Sequence, residues 1–207
     1  MVASLFKNYE ALAASADLAF REMRSQYPSC VTCEPLCSDC CHAVFGLFLI
    51  EAAYVRSHFE NLTRKERRRI VSRAAKAENE MGRVIDAAQR GEGPQGSFSL
   101  EKARVRCPLL NVANECVLYQ HRPITCRVYG VPTAIQGKAH VCWKAKFNKE
   151  KTYAVFNLDE ANRKLYHLSM EFLKGAGGND PLKAGFLVSV SKVVTTRTED
   201  LIRQNFL

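Results

Sequence analysis

Nine cysteines in a chain of 207 residues are the side chains best suited to chemistry in this sequence. Eight of them fall into two groups along the chain. The first group is Cys33, Cys37, Cys40 and Cys41, and the second is Cys107, Cys116, Cys126 and Cys142. Because thiolates clustered in this way are typical metal ligands, all eight are predicted to bind metal. Cys30 lies outside the closer spacing and is predicted to be the spare thiol.

Two other uses of cysteine explain the pattern less well. A disulfide framework belongs to an oxidising compartment and to small secreted domains. The N-terminal stretch contains Lys7, Glu10 and Asp17, so it does not resemble a secretory signal. Buried structural thiols usually occur singly, whereas four cysteines here lie within nine residues beside Ser38 and Asp39. We therefore expect a cytoplasmic protein that uses its thiols as ligands.

The spacing of the cysteines bears on which metal they bind. Structural zinc sites commonly use two C-x2-C pairs, and only Cys37 and Cys40 are spaced in that way. Cys40 and Cys41 are adjacent and are expected to point to different sides of a strand or helix, which suits a cluster better than a single ion. A 4Fe–4S cluster is therefore the predicted cofactor, with zinc as the alternative. His42 and His140 are possible replacement ligands.

Cys33, Cys37 and Cys40 also have the C-x3-C-x2-C spacing of radical S-adenosylmethionine enzymes. That motif normally has an aromatic residue after its middle cysteine, where this chain has Ser38. It also belongs to a barrel of alternating strands and helices, which this sequence does not predict. Radical chemistry is therefore an alternative and not the first hypothesis.

Three amphipathic helices are predicted to position the cysteines. They lie at about residues 6–27, 63–90 and 157–175. The first has apolar residues at intervals of three and four. The second opens with a capping box formed by Thr63 and Glu66, and the third begins at Asn157 and ends at Gly175.

The segments between these helices are less regular. Residues 107–112, 116–119 and 126–129 are predicted to be short β-prone pieces, and residues 91–96 a turn-rich linker. Residues 43–55 are predicted to be an apolar core segment that carries Glu51, and residues 186–194 either a short strand or a helix.

These elements predict a mainly α fold with small irregular or β-hairpin segments, in which a helical scaffold surrounds a cysteine-ligated metal centre. The predicted organisation along the chain has three parts. They are an N-terminal amphipathic helix (1–29), a cysteine-cluster domain with an inserted helix (30–145, insert 63–90), and a C-terminal helical segment packed on the same domain (146–207).

The chain is basic, with a formal net charge of +9. Much of the excess lies at the start of the second helix. The residues are Arg64, Lys65, Arg67, Arg68, Arg69 and Arg73. This run is typical of a solvated helix face, and contact with an acidic protein partner or a nucleic acid is the alternative. No membrane span is predicted, because the longest apolar run is too short.

The order of the cysteines and their neighbours resembles the YkgJ-type cysteine-cluster family, a zinc- or iron-chelating domain. The similarity runs from Cys33 to Cys142. Its segments are Cys33-x3-Cys37-x2-Cys40-Cys41, Arg106-Cys107-Pro108-Leu109, Cys116-Val-Leu-Tyr119-x2-Arg122-Pro123-x2-Cys126-Arg127-x-Tyr129 and Cys142. The resemblance implies metal binding and supplies no substrate. Because flagellin lysine methylases are among the relatives that share such a cluster, it also admits methyl transfer.

Three arginines within these motifs are predicted to contact the cofactor. Arg106, Arg122 and Arg127 would neutralise a negatively charged cluster or donate to its sulfurs, with bracing of the backbone as the alternative.

The first hypothesis for function is a cytoplasmic iron–sulfur protein for electron transfer, for regulation or as an accessory to a partner enzyme. The alternatives are a zinc-binding interaction module and a cluster-dependent enzyme. The spacing leaves open whether there are one or two metal centres.

Overall fold

The computed structural model describes residues 2–34, 36–90, 103–148 and 150–203. Its eight α-helices, in order, are α1 (Val2–Gln26), α2 (Leu49–Glu60), α3 (Arg64–Gln89), α4 (Ile124–Val128), α5 (Leu158–Gly175), α6 (Pro181–Gly185), α7 (Val190–Thr195) and α8 (Thr198–Arg203). Short 3-10 helices span Asp39–Cys41 and Tyr119–His121. Three strands are β1 (Thr133–Ile135), β2 (Lys138–His140) and β3 (Phe156–Asn157). The mainly α fold with small β segments is confirmed.

The chain divides into two compact units, each built from separate segments. The α1 unit comprises Met1–Cys37, Phe48–Glu51 and Arg122–Phe186, and the α3 unit comprises Ser38–Leu47, Ala52–His121 and Leu187–Leu207. The segments of the two units alternate along the chain, and the three-part division predicted from the sequence stays a prediction.

In the α1 unit, α1 packs against α4 and α5. The predicted stripe on α1 is buried at Tyr9, Ala13, Ala16 and Met23. A small sheet completes this unit, with β1 antiparallel to β2 and parallel to β3. Gln136 and Gly137 close the β1–β2 hairpin with positive φ angles of 51° and 71°, as a two-residue turn requires.

In the α3 unit, α3 packs against α7. The predicted capping box forms: the Glu66 carboxylate accepts hydrogen bonds from the N–H and hydroxyl of Thr63. Arg56 on α2 donates to the carbonyl of Val194 at 2.9 Å and so satisfies the C-terminal end of α7. Ser189 caps the other end of α7 by accepting from Lys192 N–H.

Two local predictions need correction. Residues 126–129 are helical and belong to α4 and its end, because a cap on the Ile124 N–H and packing against α1 outweigh their strand propensity. The β-prone pieces 107–112 and 116–119 pair only through an isolated bridge between Leu110 and Cys116. The apolar segment 43–55 contains the start of α2, and residues 186–194 contain the start of α7 after a bridge at Val188.

The predicted linker 91–96 lies outside the described residues. In the described part of the chain, every helix is either too short or too polar to traverse a lipid bilayer.

Candidate metal centres

Four of the predicted ligands come together in the α3 unit. These are Cys40, Cys41, Cys107 and Cys116, called the quartet below. The backbone N–H of Cys107 donates to the carbonyl of Cys41 at 2.7 Å, and the Leu110–Cys116 bridge folds Cys116 back on the same loop. Side-chain hydrogen bonds join the thiol of Cys41 to Cys116 and to Cys40. The quartet therefore draws two cysteines from each of the two groups along the sequence.

Cys40 and Cys41 were expected to point to different sides of a strand or helix, yet a side-chain hydrogen bond joins their thiols. Both lie in the 3-10 helix Asp39–Cys41, where successive residues are separated by about 120° around the axis. That separation is small enough for their thiols to touch, and it lets neighbouring residues contribute to one site. His42 was predicted as a possible replacement ligand. Its Nδ1 lies 2.9 Å from the carbonyl oxygen of Ser38, so this ring nitrogen is engaged by the backbone.

The environment of the quartet favours the protonated form of the Cys41 and Cys107 thiols. Hydrogen bonds to Cys116 and then to Cys40, followed by burial, raise the pKa of the Cys41 thiol far above its usual range. Burial raises the pKa of Cys107 to about 12, and the neighbouring Cys116 and Cys40 add to the increase. Four thiolates could not share this site without a cation, because their negative charges repel one another. A bound metal ion offsets this repulsion and makes deprotonation of the thiols favourable.

The donor set of the quartet fits a thiophilic metal such as zinc, copper(I) or iron in an iron–sulfur cluster. Among the described residues, no three or more Cys, His, Asp or Glu side chains are already arranged around a common ion position. The contacts of Cys41 nonetheless place three of the four sulfurs side by side, and Cys107 interacts electrostatically with the group. Binding would therefore require loss of the thiol protons and a local closing of the ligands.

The loop between Cys107 and Cys116 is held by its own polar groups and by α3. The Asn111 side chain accepts from the N–H groups of Ala113 and Glu115 at 2.8 and 2.9 Å. Arg106 donates to the Asn111 carbonyl at 2.7 Å, and Arg73 on α3 donates to the Pro108 carbonyl at 2.7 Å. Such bonds fix the backbone that carries the ligands. The observed contacts of Arg106 are thus those of a brace, and its predicted role at a cofactor stays a prediction.

The other four predicted ligands lie in the α1 unit. These are Cys33, Cys37, Cys126 and Cys142, called the second cysteine set. Cys126 is on α4, four residues before Gly130, and helical conformation continues through Tyr129. A Cβ atom at Gly130 would lie 2.8 Å from the Cβ and 3.5 Å from the Sγ of Cys33. Since residues four apart share a helix face, α4 brings Cys126 and Cys33 to the same side.

Two hydrogen bonds hold the segment that follows Cys142 close to the segment that precedes Cys33. Lys146 N–H donates to the Cys30 carbonyl at 2.8 Å, and the Thr32 hydroxyl donates to the Lys144 carbonyl at 2.9 Å. The segment that follows Cys142 therefore runs beside the segment that precedes Cys33. Cys30 takes part through its backbone carbonyl, and its status as a spare thiol stays a prediction.

Arg122 and Arg127 flank Cys126 and share one carboxylate. Arg127 is buried and pairs with Asp17 on α1, and Arg122 Nη2 lies 3.1 Å from Asp17 Oδ1. Arg127 also donates from Nε to the Arg122 carbonyl at 2.8 Å. These contacts tie α4 to α1 and so position Cys126. The predicted contact of both arginines with a cofactor stays a prediction.

Glu51 is a positioning residue that sequence reasoning did not assign to the site. Its carboxylate is 3% exposed and accepts from the Ile124 N–H at 2.9 Å, which caps the helix that carries Cys126. Tyr9 donates to the same oxygen at 3.5 Å. Burial raises the pKa of Glu51 to about 7 despite these hydrogen bonds. The sequence signal that could have revealed this role is the position of Glu51 within an apolar run, because carboxylates are seldom fully buried unless they have a partner.

Residues 32–148 match the model of a protein family described as "CxxCxxCC: Putative zinc- or iron-chelating domain". No curated protein and no solved structure matches the chain. The matched range covers more than half of the 207 residues and includes all eight cysteines of the quartet and the second cysteine set. The chain therefore belongs to this family of zinc- or iron-chelating domains.

Proposed function

We propose that the quartet binds one tetrahedrally coordinated metal ion and that zinc is the ion that fits it best. The observation that carries the proposal is the direct contact of the Cys41 thiol with both Cys116 and Cys40. Zinc–sulfur bonds of about 2.3 Å in a tetrahedron place the sulfurs about 3.8 Å apart, close to the distance of a thiol–thiol hydrogen bond. An iron–sulfur cluster would have to push these sulfurs apart, since its own core separates the ligands.

The role of such an ion is structural. Four thiolates leave no open coordination position for a substrate, and closed sites of this kind stabilise folds. The ion would join the 3-10 helix Asp39–Cys41 to the loop between Cys107 and Cys116. Few backbone hydrogen bonds connect these two segments, so the ion would add a strong link between them. The α3 unit then serves as a metal-stabilised interaction module, which was the alternative hypothesis from the sequence.

An iron–sulfur cluster is the second candidate, and the second cysteine set is its place. The supporting observation is Gly130, whose missing side chain lets backbone approach Cys33 to within contact distance. Backbone this close to a ligand sulfur is the setting in which N–H···S hydrogen bonds tune a cluster. A cluster held by Cys33, Cys37, Cys126 and Cys142 would support electron transfer, regulation or service to a partner enzyme.

The assignment of Cys40 to the quartet weighs against radical chemistry. Its contact with Cys41 gives Cys40 a partner outside the C-x3-C-x2-C motif, which would need it together with Cys33 and Cys37. The proposal also places the protein in the cytoplasm. A reducing compartment keeps cysteines in the thiol form and so available as metal ligands.

The experiment is anaerobic purification of the full chain, followed by an absorption spectrum and elemental analysis of zinc, iron and sulfide. The proposal expects one zinc ion that is lost in Cys107→Ser and retained in Cys126→Ser. If the second candidate holds, iron and sulfide follow the opposite pattern. Zinc content that is unchanged by Cys107→Ser would overturn the quartet assignment, and iron and sulfide lost with Cys107→Ser would replace zinc by a cluster there.

A further inference from the structure

An open pocket in the α3 unit is lined by arginines from three segments. Its volume is about 460 Å³, within the range of about 300–1,000 Å³ usual for small-molecule sites. The arginines are Arg56 from α2, Arg64, Arg67 and Arg68 from α3, and Arg197 from the turn after α7. The residues that line it include no carboxylate. A concave surface with five cations therefore lies beside the start of α3.

The sequence spacing explains why α3 contributes three of these arginines. Positions 64, 67 and 68 are separated by three and four residues and so share one helix face. Lys65 and Arg69, on the same two turns, do not line the pocket. Only part of the basic run predicted from the sequence therefore faces the pocket, and the rest of it lies on another face of α3.

Arg56 has partners within the protein. Its Nε donates to Glu60 at 2.8 Å, its Nη1 donates to the Val194 carbonyl, and its guanidinium lies 5.2 Å from the centre of the Phe59 ring. Arg56 therefore lines the pocket in a fixed position, because its donors are already engaged by Glu60 and by the C-terminal end of α7. The other four arginines carry the charge that is left for a ligand.

Those four arginines have no side-chain hydrogen bond or ion pair with any residue in the described ranges. Arg67 is the most telling, because its Nε is buried and lacks a hydrogen-bond partner there. A buried donor without a partner destabilises the protein, and like charges brought together add to this destabilisation. The Thr63 hydroxyl accepts from the Glu66 N–H at the start of α3, and the guanidinium groups are the donors that line the pocket.

We propose that this pocket binds the diphosphate or triphosphate group of a small phosphorylated compound. Arginine presents a planar fork of donors that matches phosphate oxygens, and several arginines around one cavity favour more than one phosphate. Four unpartnered guanidiniums balance the three to four negative charges of such a group. A small compound suits the pocket better than a nucleic acid, because the donors converge on one cavity and do not follow an extended groove.

The test is binding of tripolyphosphate, ATP and orthophosphate to the metal-loaded full chain, measured by calorimetry and by the shift in Tm. Tripolyphosphate should bind and raise Tm, and orthophosphate should bind at least about tenfold more weakly, because it meets fewer guanidiniums. ATP binding as tight as that of tripolyphosphate identifies the phosphates as the recognised group. Tighter ATP binding identifies a nucleotide as the source.

The variant Arg64→Gln/Arg68→Gln removes two exposed pocket arginines, and Lys65→Gln/Arg69→Gln removes the same charge from the same turns of α3 outside the pocket. The first should weaken tripolyphosphate binding by at least about tenfold and the second by no more than about threefold. Equal losses in the two variants would overturn the proposal, as would the absence of tripolyphosphate binding. A single-stranded oligonucleotide that binds and is not displaced by tripolyphosphate would show a nucleic-acid surface instead.

Discussion

The carboxylate of Glu51 accepts a hydrogen bond from the backbone N–H of Ile124 at 2.9 Å and so caps the helix that carries Cys126. Tyr9 on α1 donates to the same carboxylate oxygen, and Arg127 lies near enough to lower its pKa. Burial outweighs these contacts and favours the protonated acid. One buried carboxyl thus links α1, the first turn of α2 and α4 within the α1 unit.

We expect Glu51→Gln to remove a pH dependence of stability. The pKa of Glu51 is about 7 in the folded chain and 4.5 in the unfolded reference, so the folded state binds more protons between these values. The free energy of unfolding therefore falls as the pH rises from 4.5 through 7, by about 3 kcal/mol in total. Glutamine keeps an acceptor for Ile124 and cannot ionise.

The measurement is urea unfolding of both proteins between pH 5 and 8. The difference in unfolding free energy between variant and wild type should grow in favour of Glu51→Gln as the pH rises. A constant difference across this range would show that Glu51 is ionised throughout or titrates alike in both states. Comparing the two proteins cancels the contributions of other titrating groups.

Removal of one quartet thiol should lower both metal content and stability. Cys107→Ser takes away a half-buried ligand, and the free energy of metal binding contributes directly to folding in such sites. We expect loss of one metal ion per chain and a marked fall in Tm. Cys30→Ser is the matched control, because Cys30 lies outside both ligand sets, and it should retain the metal and nearly the wild-type Tm. Equal metal loss in Cys30→Ser would show that the spare thiol is misassigned.

The sequence predicted the three long helices, because periodicity and capping are local. Thr63 and Asn157 each make the cap that their spacing predicts. How the cysteines divide between sites could not be predicted. Cys37 and Cys40 look like one C-x2-C pair, yet they belong to different units, because the segments of the units alternate along the chain.

The short helix α4 shows a second limit of sequence reasoning. Ile124 and Val128 favour a strand by propensity, and the features that make this segment helical are distant in sequence. They are the capping carboxylate of Glu51 and the pairing of Arg127 with Asp17. The arginine pocket was hidden for the same reason, since Arg56 and Arg197 join the predicted basic run only in the folded chain.

Asp17→Asn should destabilise the α1 unit. The substitution removes the charge that pairs with Arg127, whose side chain is 6% exposed, and leaves that guanidinium buried without its carboxylate. Breaking a buried pair by removing one partner costs about 3–5 kcal/mol, and the partial exposure of Asp17 lowers the expected cost to about 2 kcal/mol. Urea unfolding measures it. Glu22→Gln, an exposed charge on α1, is the control, and equal losses in both variants would contradict a specific role for Asp17.

We expect alanine substitutions at Gly130 and at Gly82 to have opposite effects on stability, because only Gly130 lies close to another residue, Cys33. Gly130→Ala would put a Cβ 2.8 Å from the Cβ of Cys33, which forces backbone or ligand to shift. Overpacking of this kind costs about 1–3 kcal/mol and should also lower metal binding at the second cysteine set. Gly82→Ala adds a methyl group where nothing lies within 4 Å, in the interior of α3, and should stabilise the chain by about 0.5–1 kcal/mol. Unfolding free energies and metal content of the two variants test this pair. If Gly130→Ala has wild-type stability and metal content, the contact with Cys33 does not constrain the site.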